Sequence, residues 1–371
     1  MRPWEDCIRH LLAIIESHFS HVSRRSNCSV GIFPTCLLSL VLLNNTGAAS
    51  PPYVWENVTL DAGFSPRDGG EAIVYDGKMW LLGGWNPRDK QFFPRICNNE
   101  VWSSKNGADW SLVKPNTFKN EEFDRAKDWE GRHYAGYVVH RDKMWIVGGD
   151  VNQGHYHFDV WSSTNGRDWS LVNRDRPIPW KPRAFGYTVT FKDRIWVMGG
   201  QTIPQIAAAE PMFHRDIWTT ADGVAWDKIE PEEPYWSARA LIGGQAVFQD
   251  RIWVLGGGLY DTPGTERTFH NDVWSSADGV HWKQHLAEAP WSKRQMHEVA
   301  VFDKKLWVLE GWNQTNRNDV WYSKDGVEWT ELPDTPWEPR HAASVFVHDG
   351  SLWMVAGNNM QPDVWRLRCA D

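Results

Sequence analysis

The sequence contains no apolar run long enough to cross a bilayer. Its longest, Ile32–Leu43, is 12 residues, against the roughly 20 that a spanning helix needs. Cysteine is scarce: there are five in 371 residues, and only Cys97 and Cys369 lie beyond residue 49. These two fall at opposite ends of expected strands, and a disulfide needs Cα atoms within about 7 Å, so no bridge is expected. Long lysine or arginine runs are also missing. The net charge is −8, which argues against general nucleic-acid binding. No Gly-x-Ser-x-Gly, phosphate-binding loop or His-Glu-x-x-His occurs, so the common hydrolase, nucleotide and zinc-protease signatures are absent.

Tryptophan, by contrast, is abundant. Of 26 tryptophans, eighteen fall on a lattice of six units. One set sits between hydrophobic neighbours: Trp80, Trp145, Trp196, Trp253, Trp307 and Trp353. A second follows an acid and a Val or Ile: Trp102, Trp161, Trp218, Trp274, Trp321 and Trp365. A third comes eight residues later: Trp110, Trp169, Trp226, Trp282 and Trp329. Its sixth member is missing after Trp365 and is supplied near the front by Trp55. A repeat whose last strand comes from the other end describes a ring.

Each unit reads as four short strands. In the fifth they run from Arg294 to near Phe302, over Leu306–Leu309, over Asp319–Ser323, and around Trp329. Asn-Gly or Asp-Gly at 106–107, 165–166, 222–223, 278–279 and 325–326 marks a hairpin before each fourth strand, since tight turns require tolerance of positive φ. Four antiparallel strands per repeat is the pattern of a propeller blade. The expected fold is all-β: a six-bladed β-propeller of four-stranded antiparallel blades, closed by an N-terminal strand.

A Gly-Gly pair ends the second strand at 83–84, 148–149, 199–200 and 256–257, with an aromatic three or four residues upstream. This resembles the kelch repeat of the galactose oxidase/kelch-type propeller superfamily, over Val54 to Arg368. Units five and six depart from it with Glu310-Gly311 and Ala356-Gly357. The Ser-x-(Asp/Asn)-Gly-x-x-Trp turn also resembles a shortened sialidase Asp-box.

Residues 1–49 fall outside the repeat, which occupies 50–371. Arg24-Arg25, the apolar run and the small residues up to Ala49 predict a secretory signal peptide, cleaved near Ser50 and with its true start near Val22. The expected location is secreted or periplasmic.

The long loops after strands two and four share one face, and function on a repeat ring resides in such variable loops. Each unit delivers an arginine to that face: Arg67, Arg132, Arg183, Arg239, Arg294 and Arg340. Guanidinium forks suit oxyanions, and the kelch resemblance implies the same use. Each unit also has one acid there, Glu100, Asp159, Asp216, Asp272, Asp319 or Asp363, so the arginines could instead pair within their blades. The residues that break the symmetry are Glu71, Trp85, His133, Gln245, His297, Glu298, Glu310, Trp312 and His341. With Arg67, Arg294 and Arg340, all but Gln245 form the expected ligand site, off-centre over blades five, six and one.

His157, His214 and His270 occupy equivalent places in three blades. Adjacent blades hold such positions on the order of 15 Å apart, too far to share a metal. The tyrosines of a galactose-oxidase copper site and the acid and nucleophile of a sialidase cannot be assigned, so no cofactor is expected. Two functions remain open. One is a monomeric secreted binding module for a glycan or an acidic small molecule or peptide. The other is a sugar-active enzyme similar to kelch-type sialic-acid mutarotases, with Glu298 and His297 or His341 as its acid–base pair.

Overall fold

The computed structural model describes residues 52–92, 95–150, 155–184, 186–202, 212–240, 246–259 and 267–370. The expected leader and Gln245 lie outside the described residues.

Six four-stranded antiparallel sheets form the blades. Blade one contains Glu71–Tyr75, Lys78–Leu82, Val101–Ser104 and Trp110–Lys114, hydrogen-bonded in that order. Blades two to five repeat the pattern from Gly136, Tyr187, Val247 and Glu298. Blade six takes Ser344–His348, Ser351–Val355 and Val364–Cys369 from one end of the fold. Its outermost strand, Tyr53–Thr59, comes from the other and pairs Tyr53 with Cys369 and Trp55 with Leu367. Cys97 is buried, Cys369 is exposed, and both are free.

Alternation along the strands places apolar side chains on both sheet faces, so each blade packs against two neighbours. Val189, Trp196 and Met198 of blade three meet Ile252 and Val254 of blade four in one cluster. The second-strand tryptophans are the main filling, from 0% exposed at Trp307 to 5% at Trp145 and Trp196. Their indole N–H groups are not left unpaired in this apolar wall. Each donates to the carbonyl five residues earlier, as from Trp80 to Tyr75 (2.9 Å) and from Trp307 to Phe302 (2.8 Å).

The two hairpin turns of a blade differ from the sequence reading. Paired positive φ values, which define the tightest two-residue turns, occur between strands one and two, at Arg141-Asp142, Lys192-Asp193, Gln249-Asp250 and Asp303-Lys304. In the Asn-Gly and Asp-Gly turns only the glycine is left-handed, as at Gly107 (φ 75°). There the preceding side chain organises a wider loop. Asn106 Oδ1 accepts from the N–H groups of Ala108 and Asp109, and Ser104 Oγ accepts from Gly107 N. Among the described residues no helix is long and apolar enough to cross a membrane.

Candidate functional site at the channel mouth

The six arginines are buried, from 0% exposed at Arg132, Arg294 and Arg340 to 6% at Arg183. Each spans its own blade. Arg340 donates to Asp363 Oδ1 and Oδ2 (both 2.8 Å), to Ala356 O (2.8 Å) and to Glu338 O (3.3 Å). Arg294 does the same with Asp319, Glu310 O and Ser292 O. Arg67 reaches Glu100, Gly83 O and Ser65 O. The third-strand tryptophan adds its indole N–H to the same acid, as from Trp365 to Asp363 (2.7 Å). In blades two and six the guanidinium also lies over the Trp ring of its Trp-x-x-Arg segment, 5.8 Å from the centroid. Burial alone would raise Asp159, but Arg132 and His157 hold it well below the usual carboxylate range. The arginines are therefore internal cross-braces, each neutralised by its own blade acid. As a ring they present no anion clamp, which corrects the expected role of Arg67, Arg294 and Arg340.

The mouth is made by the residues just after these arginines and just after the second strands. Isolated bridges join Asp68 to Trp85, His133 to Asp150, Ala184 to Gln201, Ala240 to Gly258 and Gln295 to Trp312. In blade six, Asn358 N donates to His341 O at 3.0 Å. Among the described bridge residues, blade three contributes Ala184 and Gln201 and blade four Ala240 and Gly258, whereas the bridges of blades five, one and two carry Gln295, Trp312, Asp68, Trp85, His133 and Asp150.

Between blades one and two, His133 stands 3.7 Å from Asp68 and 3.5 Å from Asp150. Trp85 lies beside it, with ring centroids 6.4 Å apart. Gly69, at φ 55°, lies directly against the imidazole, where a Cβ would collide. Burial raises Asp68 to about 6 against the pull of His133, and burial raises Glu71 to about 8.

Between blades five and six, His341 Nδ1 pairs with Asn316 Oδ1 (2.8 Å), and Asn316 Nδ2 donates to Asn358 Oδ1 (3.1 Å). Burial and the neighbouring His133 hold His341 down at about 3. Trp312 and Asn313 open a two-strand hairpin with Thr315 and Asn316. Trp312 packs edge-on against Phe269 at 5.5 Å and lies under Arg267 at 5.0 Å. Gln295 is 0% exposed, and neither atom of its amide has a hydrogen-bond partner.

Glu310, His297 and Glu298 lie elsewhere. His297 is turned into the wall between blades four and five, with Nε2 bonded to Leu255 O at 2.9 Å. Burial and Arg294 lower it to about 3. Glu298, 4% exposed, opens the first strand opposite Leu309. Glu310 is fully buried between blades five and six, where Oε1 accepts from Ala343 N at 3.0 Å. Of the histidines proposed as partners of Glu298, His297 bonds a carbonyl through Nε2 and His341 an amide through Nδ1.

Sequence reasoning passed over Gln295 and Asp68, because each lies one residue after a repeated arginine and looks like part of the repeat. The usable signal was their difference from Ala184 and Ala240 at the same place. His157, His214 and His270 each lie by their own blade's arginine–acid pair, as the spacing implied.

The tryptophan lattice, the Gly-Gly strand ends and the closed ring of six blades define a kelch-type β-propeller. Over 198 residues, 52% of this chain, the sequence is 26% identical to beta-scruin of Limulus polyphemus, a kelch-repeat protein. The chain spans about a fifth (19%) of that protein's length. No protein-family profile matches the chain.

Proposed function

We propose that this propeller is a binding module that takes a hydroxyl-rich ligand, a carbohydrate, at the channel mouth over blades five, six and one. The observation that carries this reading is Gln295, a fully buried amide at the mouth with no partner for either atom. Buried polar groups are nearly always paired, and an orphan costs about 1–3 kcal/mol. Ligand hydroxyls, which both donate and accept, would satisfy it. Trp85 and Trp312, both half-buried, supply flat apolar surfaces of the kind sugar rings stack upon. Asn316, Asn358 and Asp68 supply further polar groups. The internal pairing of the arginines removes the reason to expect an acidic ligand.

The enzymatic alternative needs an acid close to a histidine together with an open anion clamp. His133 and Asp68 meet the first condition, but the arginine ring does not meet the second, so binding is favoured. We further propose export of the propeller, on the leader pattern of residues 22–49; N-terminal sequencing of exported protein should begin near Ser50.

The binding test is a glycan array followed by calorimetry on the best hit. Trp312→Ala and Gln295→Ala should each weaken binding at least tenfold. Val327→Ala, an exposed change in an Asp-Gly turn on the opposite face, should leave it unchanged. An empty array, or undiminished affinity in folded Trp312→Ala and Gln295→Ala, overturns the proposal.

A further inference from the structure

Outward of the mouth on blade two, three side chains from two segments converge. Glu130 belongs to the segment that enters the blade, between Trp129 and Arg132. His155 and His157 belong to the loop between its second and third strands. Glu130 Oε2 is 2.7 Å from His155 Nε2 and 3.5 Å from His157 Nδ1, and one atom from each residue falls within a 4.8 Å cluster. We propose that Glu130, His155 and His157 form a site for a divalent transition metal, of which zinc is the best-suited common ion.

Zinc binds imidazole nitrogen at about 2.0–2.1 Å and carboxylate oxygen at about 2.0–2.2 Å. In a tetrahedral site neighbouring ligand atoms then stand a little over 3 Å apart. The two Glu130–histidine separations, 2.7 and 3.5 Å, bracket that value. The ligand chemistry also suits zinc, since imidazole and carboxylate together are its usual non-thiolate donors.

His157 is an independent pointer. It is 5% exposed, its Nε2 has no hydrogen-bond partner, and its Nδ1 faces Glu130. Burial and the adjacent Arg132 lower it to about 3. Burial would raise Glu130, but His155, His157 and Arg125 outweigh it and hold the carboxylate at about 2.

The fourth position opens to solvent on the His155 side, where the side chain is 46% exposed. Arg125, 69% exposed, pairs with the other carboxylate oxygen at 2.7 Å. That oxygen is not needed for monodentate ligation. The guanidinium would nevertheless compete electrostatically with a cation. Metal bound here would tie the strand two–three loop of blade two to the segment leading into the same blade. The histidines of neighbouring blades are not needed, because all three ligands come from one.

The test uses the full chain, purified without a polyhistidine tag and stripped with chelator, with zinc chloride alone as probe. Equilibrium dialysis with elemental analysis should give one zinc per chain at free concentrations of about 10 μM, with a higher melting temperature. His155→Ala and Glu130→Gln should each weaken uptake at least tenfold while retaining the metal-free circular dichroism spectrum. Arg125→Ala should tighten uptake several-fold. His157 is left intact because truncating a buried side chain could unfold the loop. Absence of stoichiometric zinc at that concentration, or equal uptake by folded His155→Ala and wild type, overturns the proposal. Neither readout depends on a glycan, so this test stands or falls separately from the binding test.

Discussion

Glu310 shows how a single residue can break a repeat and still fit it. Its counterparts Gly83, Gly148, Gly199 and Gly256 have φ between 59° and 64°, and Glu310 keeps the same backbone at 51°. A side chain in that region costs about 1–2 kcal/mol. The neighbouring blade makes room for it. Between blades four and five, His297 fills the gap and Gly256 gives way, with the prospective Cβ of Gly256 only 3.1 Å from the imidazole. Between blades five and six, the side chain comes from the other wall: Glu310 fills the space and the residue equivalent to His297 is Ala343. The acid is therefore a packing wedge as well as a titratable group. Burial raises it to about 8 despite Arg340, the Ala343 amide and Arg294, all of which pull it down. The folded state then holds a proton that the unfolded chain releases near its ordinary pKa of 4.5. This contribution to stability is complete below about pH 4.5 and is lost as pH rises to about 8. Glu310→Gln has no proton to lose at this position. Denaturant titrations at pH 5 and pH 8 should show the variant gaining on wild type at the higher pH, by on the order of a few kcal/mol. An identical difference at both pH values would show that Glu310 is ionised in the fold. The sequence singled out Glu310 because it replaces a glycine. Its burial was not legible there, because it depends on Ala343, a residue that only the ring brings opposite.

At the scale of the element, the strands were the most legible part. Alternation and the tryptophan positions placed the second and third strands of all six blades. The turn chemistry was read less well. Asn-Gly and Asp-Gly marked these hairpins correctly, but the turns are wide loops whose glycine serves a neighbouring blade. Gly326 lies against Trp253, Gly279 against Trp196, Gly223 against Trp145, Gly166 against Trp80 and Gly107 against Trp353. Each turn thus covers the second-strand tryptophan of the blade before it, a contact invisible within one repeat. Gly326→Ala places a Cβ in the Trp253 ring at φ 76°. It should cost on the order of 2–5 kcal/mol, combining backbone strain with overpacking. Gly350 has φ 63° with nothing within 4 Å of the prospective Cβ, so Gly350→Ala should cost only the backbone part, about 1–2 kcal/mol. Chemical denaturation of both variants isolates the inter-blade contact; equal losses would mean that the glycine serves its own turn alone. The candidate site was legible in part. Trp85, Trp312, His133 and His341 lie at the mouth. The arginines do not serve as ligand groups there, because repetition gave each one a matching acid. Charge in a sequence does not reveal whether it is already neutralised.

For the whole molecule, the pattern of turn over tryptophan has one exception, and it falls at the seam. Trp307 has no Asp-Gly turn from blade six to cover it. Tyr53 takes that place, edge-on at 4.8 Å, with its hydroxyl donating to Asp303 (2.6 Å) and accepting from Lys305 (2.6 Å). Glu56 then ties the closing strand to Arg366 and Arg368 at 2.5 and 2.7 Å. The ring is thus held at the seam by the same kind of aromatic contact as elsewhere, and by a hydrogen-bonded ladder instead of a covalent turn. One consequence concerns where the polypeptide has to be cut. Ala370 N donates to Pro52 O at 2.9 Å, so a linker of about four glycine and serine residues would join the two sides. The chain could then be opened at the exposed Asp349-Gly350 turn, a site of the kind that tolerates such rearrangement. In that circular permutant the seam moves inward, to the pairing of Ser344–His348 with Ser351–Val355, and every inter-blade contact remains. It should unfold in one cooperative transition within a few degrees of the parent; an insoluble product or a broad, uncooperative melt would show that the order of the strands along the chain matters to the ring, and not only their neighbours in space.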